Sequence, residues 1–162
     1  MREDAVVRPD GSDGIFGSVY VGPGASVVAI DRQKFTYLIR EWKYPLGAYT
    51  LEVISGGMDG EESAEQCARR EMAEEAGLTG GTLIDLGNMD TITTIVKAPV
   101  QLFLATDVEV GAASPGQDEF LEVVRLPFAE AIDMVMSSEL QHAATVITIL
   151  KAARLLGYVP GR

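Results

Sequence analysis

The rhythm of hydrophobic positions changes along this chain. Before residue 55 they come in short runs rich in β-branched and aromatic residues: SVYV (18–21), ASVVAI (25–30), FTYLIR (35–40) and TLEVI (50–54). Runs of this kind predict strands, because such side chains pack well on a pleated surface. They are separated by the turn-forming PDG (9–11) and GPG (22–24) and the polar DRQK (31–34). At Ser63 the rhythm becomes helical. Ala64, Cys67, Ala68 and Met72 form one small-residue stripe, Ser63 and Gln66 have capping-box spacing, and Gly77 offers a terminator. Strand patterns return in TLIDLG (82–87), VQLFLATDV (100–108) and FLEVVRL (120–126), the last preceded by the loop GAASPGQDE (111–119). Two helical stretches follow, about 127–137 and 142–156, the second with Ala143, Val146, Ile147 and Leu150 on one face. The expected class is α+β: one domain over 1–162, with strands before, between and after a central helix.

Composition narrows the picture. Hydrophobic residues make up 47% of the chain, enough for a real core and too many for a disordered polyacid. No apolar run is long enough to span a membrane, and MREDAVVRPDG lacks the apolar stretch of a secretory signal. One cysteine, Cys67, excludes an internal disulfide and suits a reducing compartment, so a cytoplasmic location is expected. With 24 Asp+Glu against 13 Lys+Arg, a nucleic acid is not the expected partner.

Within that acidic chain, GGMDGEESAEQCARREMAEEAGL (56–78) crowds Glu71, Glu74 and Glu75 onto one helix. A helix turns about 100° per residue; with Ala64 at zero, Glu71 falls at about 340°, Glu74 at about 280° and Glu75 at about 20°. They continue the small-residue stripe, whereas a solvated acidic face would lie opposite it. Arg70, at about 240°, is expected to reach only the edge of the cluster. Carboxylates on an inward stripe need cations, so a divalent-metal site and a salt-bridged cluster both stay open, with a solvated face the weaker alternative.

The same stretch resembles the Nudix box, G-x5-E-x7-R-E-U-x-E-E-x-G-U, where U is a bulky aliphatic residue. Gly56, Glu62, Arg70, Glu71, Met72, Glu74, Glu75, Gly77 and Leu78 fill every specified position. The resemblance implies a Nudix-type α/β/α sandwich with a mixed sheet, the box forming a catalytic loop–helix–loop. It also implies Mg²⁺- or Mn²⁺-dependent hydrolysis of a nucleoside diphosphate linked to another group. By box position, Glu71 and Glu75 would be the main metal ligands, joined by Glu74 and the Ser55 carbonyl, with Glu62 supporting and Arg70 orienting the carboxylates.

Looser similarities flank the box. LIREWKYPLGAYTLEVISGG (38–57), EFLEVVRLPFAEAIDMV (119–135) and SSELQHAATVITILKA (137–152) resemble the ADP-ribose and nucleoside-diphosphate-sugar branch. That branch implies a nucleotide-sugar substrate and a homodimer, with N-terminal strands (1–22) at the interface. Its mobile acidic segment would make Glu119 the first candidate for the catalytic base and Glu122 the second. Trp42 and Tyr44 are candidates to stack on a base or sugar, against a plain packing role. Arg40 and Lys43 are candidates for phosphate contact, against a solvated-surface role. His142 is expected to be a cap or surface residue. Dinucleoside polyphosphates, nucleoside triphosphates and a non-catalytic nucleotide-sugar sensor are the alternatives.

Overall fold

A computed structural model of the chain describes residues 1–112 and 121–158. An N-terminal hairpin pairs β1 (Arg2–Val7) with β2 (Asp13–Tyr20). The main sheet then begins with β3 (Gly24–Asp31), β4 (Phe35–Lys43), a single 3₁₀ turn (Tyr44–Leu46) and β5 (Ala48–Gly57). Helix α1 (Ala64–Ala76) follows, and then β6 (Leu78–Thr79), β7 (Thr82–Asp90), β8 (Val96–Lys97) and β9 (Pro99–Val110). The chain continues through β10 (Glu122–Pro127), α2 (Phe128–Met136) and α3 (Ala143–Leu155).

The main sheet runs β10–β4–β5–β3–β9, with β6 and β7 both pairing β9. Only β3 and β9 are parallel neighbours within it. The sheet is therefore mixed, and it carries a layer of helix on each face. Ala25, Val27, Ile39 and Ile54 pack with Cys67, Ala68, Met72 and Ala76 of α1. On the other face Val28, Leu38, Val53 and Leu104 pack against Phe128, Ile132, Ile149 and Ala152 of α2 and α3. Alternation along each strand sends neighbouring side chains to different layers, so a strand covered on both faces is apolar throughout. This is why β3 is buried from Ala25 to Asp31.

One irregularity positions the site. β5 changes partner along its length: residues 48–53 pair with β4, and residues 54–57 pair with β3. Just before the switch the other edge of β5 meets the start of α3, where the Val53 amide donates to Thr145 Oγ1 at 3.0 Å. Among the described residues no helix is long and apolar enough to cross a membrane.

Candidate active site

Helix α1 starts and stops where its sequence dictates. Ser63 Oγ accepts from the Gln66 amide at 3.2 Å while the Gln66 side chain accepts from the Ser63 amide at 2.8 Å, a complete capping box. Gly77 ends the helix at φ 64°, a left-handed conformation that glycine adopts without strain. These two devices fix where α1 begins and ends; the packing of Cys67, Ala68, Met72 and Ala76 on the sheet sets its rotation, and with it the direction of its glutamates. Cys67 is a core residue of this helix, and burial pushes its thiol up to about 11.

Arg70 is the hub of the cluster, not its edge. Its Nη1 donates to Glu71 Oε1 at 2.7 Å and to Glu74 Oε2 at 3.0 Å. Nε and Nη2 grip the two oxygens of Glu62 at 3.1 and 3.0 Å, and Nη2 also donates to the Gly57 carbonyl at 2.9 Å. The wheel projection missed this because it plots where a side chain leaves the helix, and an arginine is long enough to fold back across a turn. Hydrogen bonding to Glu62 is the largest effect raising the guanidinium's pKa, and the Arg70 hydrogen bond holds the Glu62 carboxyl below its ordinary value.

Glu75 lies on the next turn, where its Oε2 accepts from the Ser55 amide at 3.2 Å. Glu71 presses against β5 at Gly56. A Cβ there would sit 1.8 Å from Glu71 Oε1 and 2.2 Å from its carboxyl carbon, so residue 56 must lack a side chain for this carboxylate to stand where it does. Of the three readings of the acidic stripe, a solvated face fits Glu71 poorly: its side chain is only 12% exposed, although Glu74 at the edge is 46% exposed. Among the described residues no three Asp, Glu, His or Cys side chains already form an ion cage. The donor set still fits a hard dication, since three carboxylates meet one guanidinium, Glu75 lies on the next turn, and Gly56 leaves Glu71 its space.

The remaining candidates divide between the two faces of the sheet. Lys43 lies on the α1 face between Glu41 and Glu52, with an ion pair to each; the second spans 3.9 Å. Burial opposes its charge, yet the hydrogen bond with Glu41 and the charges of Glu52, Glu41 and Glu75 hold the ammonium above its ordinary value. Arg40 and Trp42 alternate onto the α3 face, as the pairing of Leu38 with Val53 in the second core shows. Arg40 donates to Glu122 Oε2 at 2.9 Å and stands over the Tyr49 ring, whose centroid is 4.6 Å away; Trp42 meets the same ring edge-on. Glu122 is therefore held beside Arg40 on the face away from α1. Tyr44 is 89% exposed in the 3₁₀ turn. Glu119 lies outside the described residues.

Glu52 is a residue that the linear pattern did not single out, and His142, expected as a cap or surface residue, is the N-cap of α3. Glu52 is 8% exposed, on the stretch of β5 that leads to Ser55 and Gly56. It meets Lys43 on one side, and on the other its Oε2 lies 3.2 Å from His142 Nδ1, which is also 3.0 Å from Thr145 Oγ1. Glu52 stands in the flanking stretch LIREWKYPLGAYTLEVISGG, just before the box; His142 had no signal beyond its place before a helix.

Comparison with known proteins agrees with this geometry. The NUDIX domain family matches residues 21–146, and the chain belongs to that family. The ADP-ribose pyrophosphatase of Bacillus subtilis (strain 168) is 28% identical over 130 residues, spanning 78% of this chain and 70% of the relative. The GDP-mannose pyrophosphatase of Klebsiella pneumoniae is 29% identical over 138 residues, spanning 79% of this chain and 69% of the relative. A solved structure described as an ADP compounds hydrolase superposes with a TM-score of 0.81 over 98% of this chain and 95% of its own, at 20% identity. That likeness carries the fold.

Proposed function

We propose that this protein hydrolyses the pyrophosphate bond of ADP-ribose or a related nucleoside-diphosphate sugar, with Mg²⁺ or Mn²⁺, releasing a nucleoside monophosphate and a sugar phosphate. The observation that carries the reading is the gathering of Glu62, Glu71 and Glu74 about Arg70 beside Glu75 and a side-chain-free Gly56. Relatives named as pyrophosphatases of ADP-ribose and GDP-mannose supply the substrate class.

Glu71 and Glu75 would hold the cation, with Glu74, the Ser55 carbonyl and Glu62 as further oxygen donors. A bound dication supplies charge neutralisation, polarisation of the phosphoryl oxygens and a more acidic water. The chain's own groups do the rest. Arg70 holds three carboxylates in one arrangement, and Lys43, fixed by Glu41 and Glu52, brings positive charge to the phosphates. A carboxylate base takes the proton of water as its oxygen bonds to phosphorus and the bridging P–O bond breaks. Glu119 is our choice for that base, because Glu122 is engaged with Arg40 on the other face.

The protein is further proposed to act as a cytoplasmic homodimer with no nucleic-acid partner. Val7, Ile15, Phe16 and Tyr20 of the N-terminal hairpin are exposed apolar residues that a second copy would cover. The deciding experiment is a substrate panel with Mg²⁺ and then Mn²⁺, products identified: ADP-ribose, ADP-glucose, UDP-glucose, GDP-mannose, diadenosine polyphosphates and nucleoside triphosphates. Release of a nucleoside monophosphate from nucleotide sugars is expected. Turnover of triphosphates or dinucleotides alone would overturn the substrate class, and tight binding without turnover would make the protein a sensor.

A further inference from the structure

Where β5 is about to change partner, the start of α3 closes its free edge. There His142 Nδ1 lies 3.2 Å from Glu52 Oε2 and 3.0 Å from Thr145 Oγ1, which accepts from the Val53 amide. The same Oε2 is the oxygen that faces the Lys43 ammonium, 3.9 Å away. We propose that His142 is a positioning residue for Lys43: by holding Glu52 back, it keeps the ammonium free to donate to the phosphates of the substrate. The proposal rests on the nucleotide-sugar reading above.

Three observations carry it. The first is the use His142 makes of its ring. It is the N-cap of α3, where Ser, Thr, Asp or Asn would satisfy a first-turn amide. Its side chain makes no capping hydrogen bond and turns to Glu52 instead. A bare ring nitrogen would repel a carboxylate oxygen, so Nδ1 carries the hydrogen and donates.

The second is burial. Glu52 is a buried carboxylate, and a buried charge is costly unless it is paired and hydrogen-bonded. With the His142 ring gone, the carboxylate gains by closing on Lys43, the cation already beside it. The third is the length of that ion pair. A charge-assisted hydrogen bond from nitrogen to oxygen spans about 2.7–2.9 Å, so at 3.9 Å Glu52 leaves the ammonium's donor uncommitted. Glu41 takes one of the three ammonium donors, and a closed pair with Glu52 would take a second from the phosphates.

Isothermal titration with inorganic pyrophosphate and Mg²⁺ tests this without requiring turnover. His142→Ala is expected to bind pyrophosphate about fivefold more weakly than wild type. Made in a Lys43→Met or a Glu52→Gln background, the same substitution is expected to change nothing further, because the ion pair it would tighten is already gone. His142→Asn places an amide nitrogen where Nδ1 stands and adds a capping side chain, so it should keep wild-type affinity and unfold at no lower temperature. Where nucleotide sugars are turned over, His142→Ala should raise KM by a similar factor and leave kcat within about twofold. Unchanged pyrophosphate affinity in His142→Ala would overturn the proposal. So would an equal loss with Lys43 already replaced, or a loss in His142→Asn as large as in His142→Ala, since either would give His142 a role that bypasses Lys43. Failure of the wild type to bind pyrophosphate would remove the phosphate role of Lys43 and the proposal with it. Absent turnover on the substrate panel would reject the catalytic reading alone, since pyrophosphate binding still decides what His142 does.

Discussion

Arg125 and Arg70 both clamp acidic side chains across elements, yet they work in different company. Arg125 on β10 faces one carboxylate. Its Nη2 donates to Asp31 Oδ2 at 2.7 Å and to Gln33 Oε1 at 2.7 Å, Nε donates to the Tyr37 hydroxyl at 3.1 Å, and the guanidinium lies 3.7 Å from the Phe35 ring centroid. The other oxygen of Asp31 accepts from the amides of Gln33 and Phe35 at 2.8 and 3.0 Å, closing the β3–β4 turn. One cation, one anion and a full set of donors make a structural knot. Arg70 holds three carboxylates with a fourth beside them, an arrangement that gains from a further cation. The chemistry of the pair is the same; its stoichiometry separates a fastener from a site.

The comparison breaks most visibly at Glu75. Glu75→Gln is expected to lower kcat by about 100-fold or more while the far-ultraviolet circular dichroism stays wild-type, since it would remove a proposed metal ligand. Near-normal turnover in the folded variant would reject the ligand assignment. Arg125→Met should do the reverse, lowering the urea unfolding midpoint and leaving kcat per folded molecule intact. If it lost activity without stability, the knot would belong to the site. Gly56→Ala is expected to weaken Mn²⁺ binding about tenfold, read by electron paramagnetic resonance of the free ion, because the added methyl displaces the Glu71 carboxylate. Unaltered Mn²⁺ affinity would show that Glu71 need not touch β5.

The smallest effect concerns acid. Burial raises the pKa of Asp31, but the hydrogen bonds from Arg125, Phe35, Tyr37 and Gln33 outweigh it and leave the carboxyl below its ordinary 3.8. Glu62 is likewise held below its ordinary 4.5, chiefly by Arg70. A carboxyl lowered in the folded state adds stability that is complete above its unfolded value and is lost as pH falls through the folded one. Thermal unfolding should therefore be flat from pH 7 to about pH 5 and fall below about pH 4. Arg125→Met should soften that fall, and an unchanged acid limb would separate Asp31 from it.

The linear sequence was most informative where structure is local. The capping box of Ser63 and Gln66 and the terminator Gly77 located α1, and runs of β-branched and aromatic residues between turn signals located most of the strands, because both depend on neighbours within a few residues. The inward direction of Glu71 was legible for the same reason. What Arg70 reaches was not, since a wheel carries no side-chain length. Arg40, Trp42 and Lys43 stand within four residues of one another, and alternation already sends them to opposite faces. Which face belongs to α1 is a tertiary fact, so their separation could not be used. Glu52 and His142 lie far apart in the chain and meet only because β5 changes partner and leaves an edge for α3. No local pattern encodes that meeting.

The partner switch of β5 also divides the proposed site by the span of chain needed to build it. The carboxylate half uses β3, β5 and α1, all between residues 24 and 76, so its contacts close short loops. The other half, where Glu52 meets His142, waits for a residue much later in the chain. Long loops cost more entropy to close and long-range contacts form more slowly, so the acidic cluster is set to assemble before that contact. A chain emerging from the ribosome would thus gather its carboxylates around Arg70 before Glu52 found its histidine.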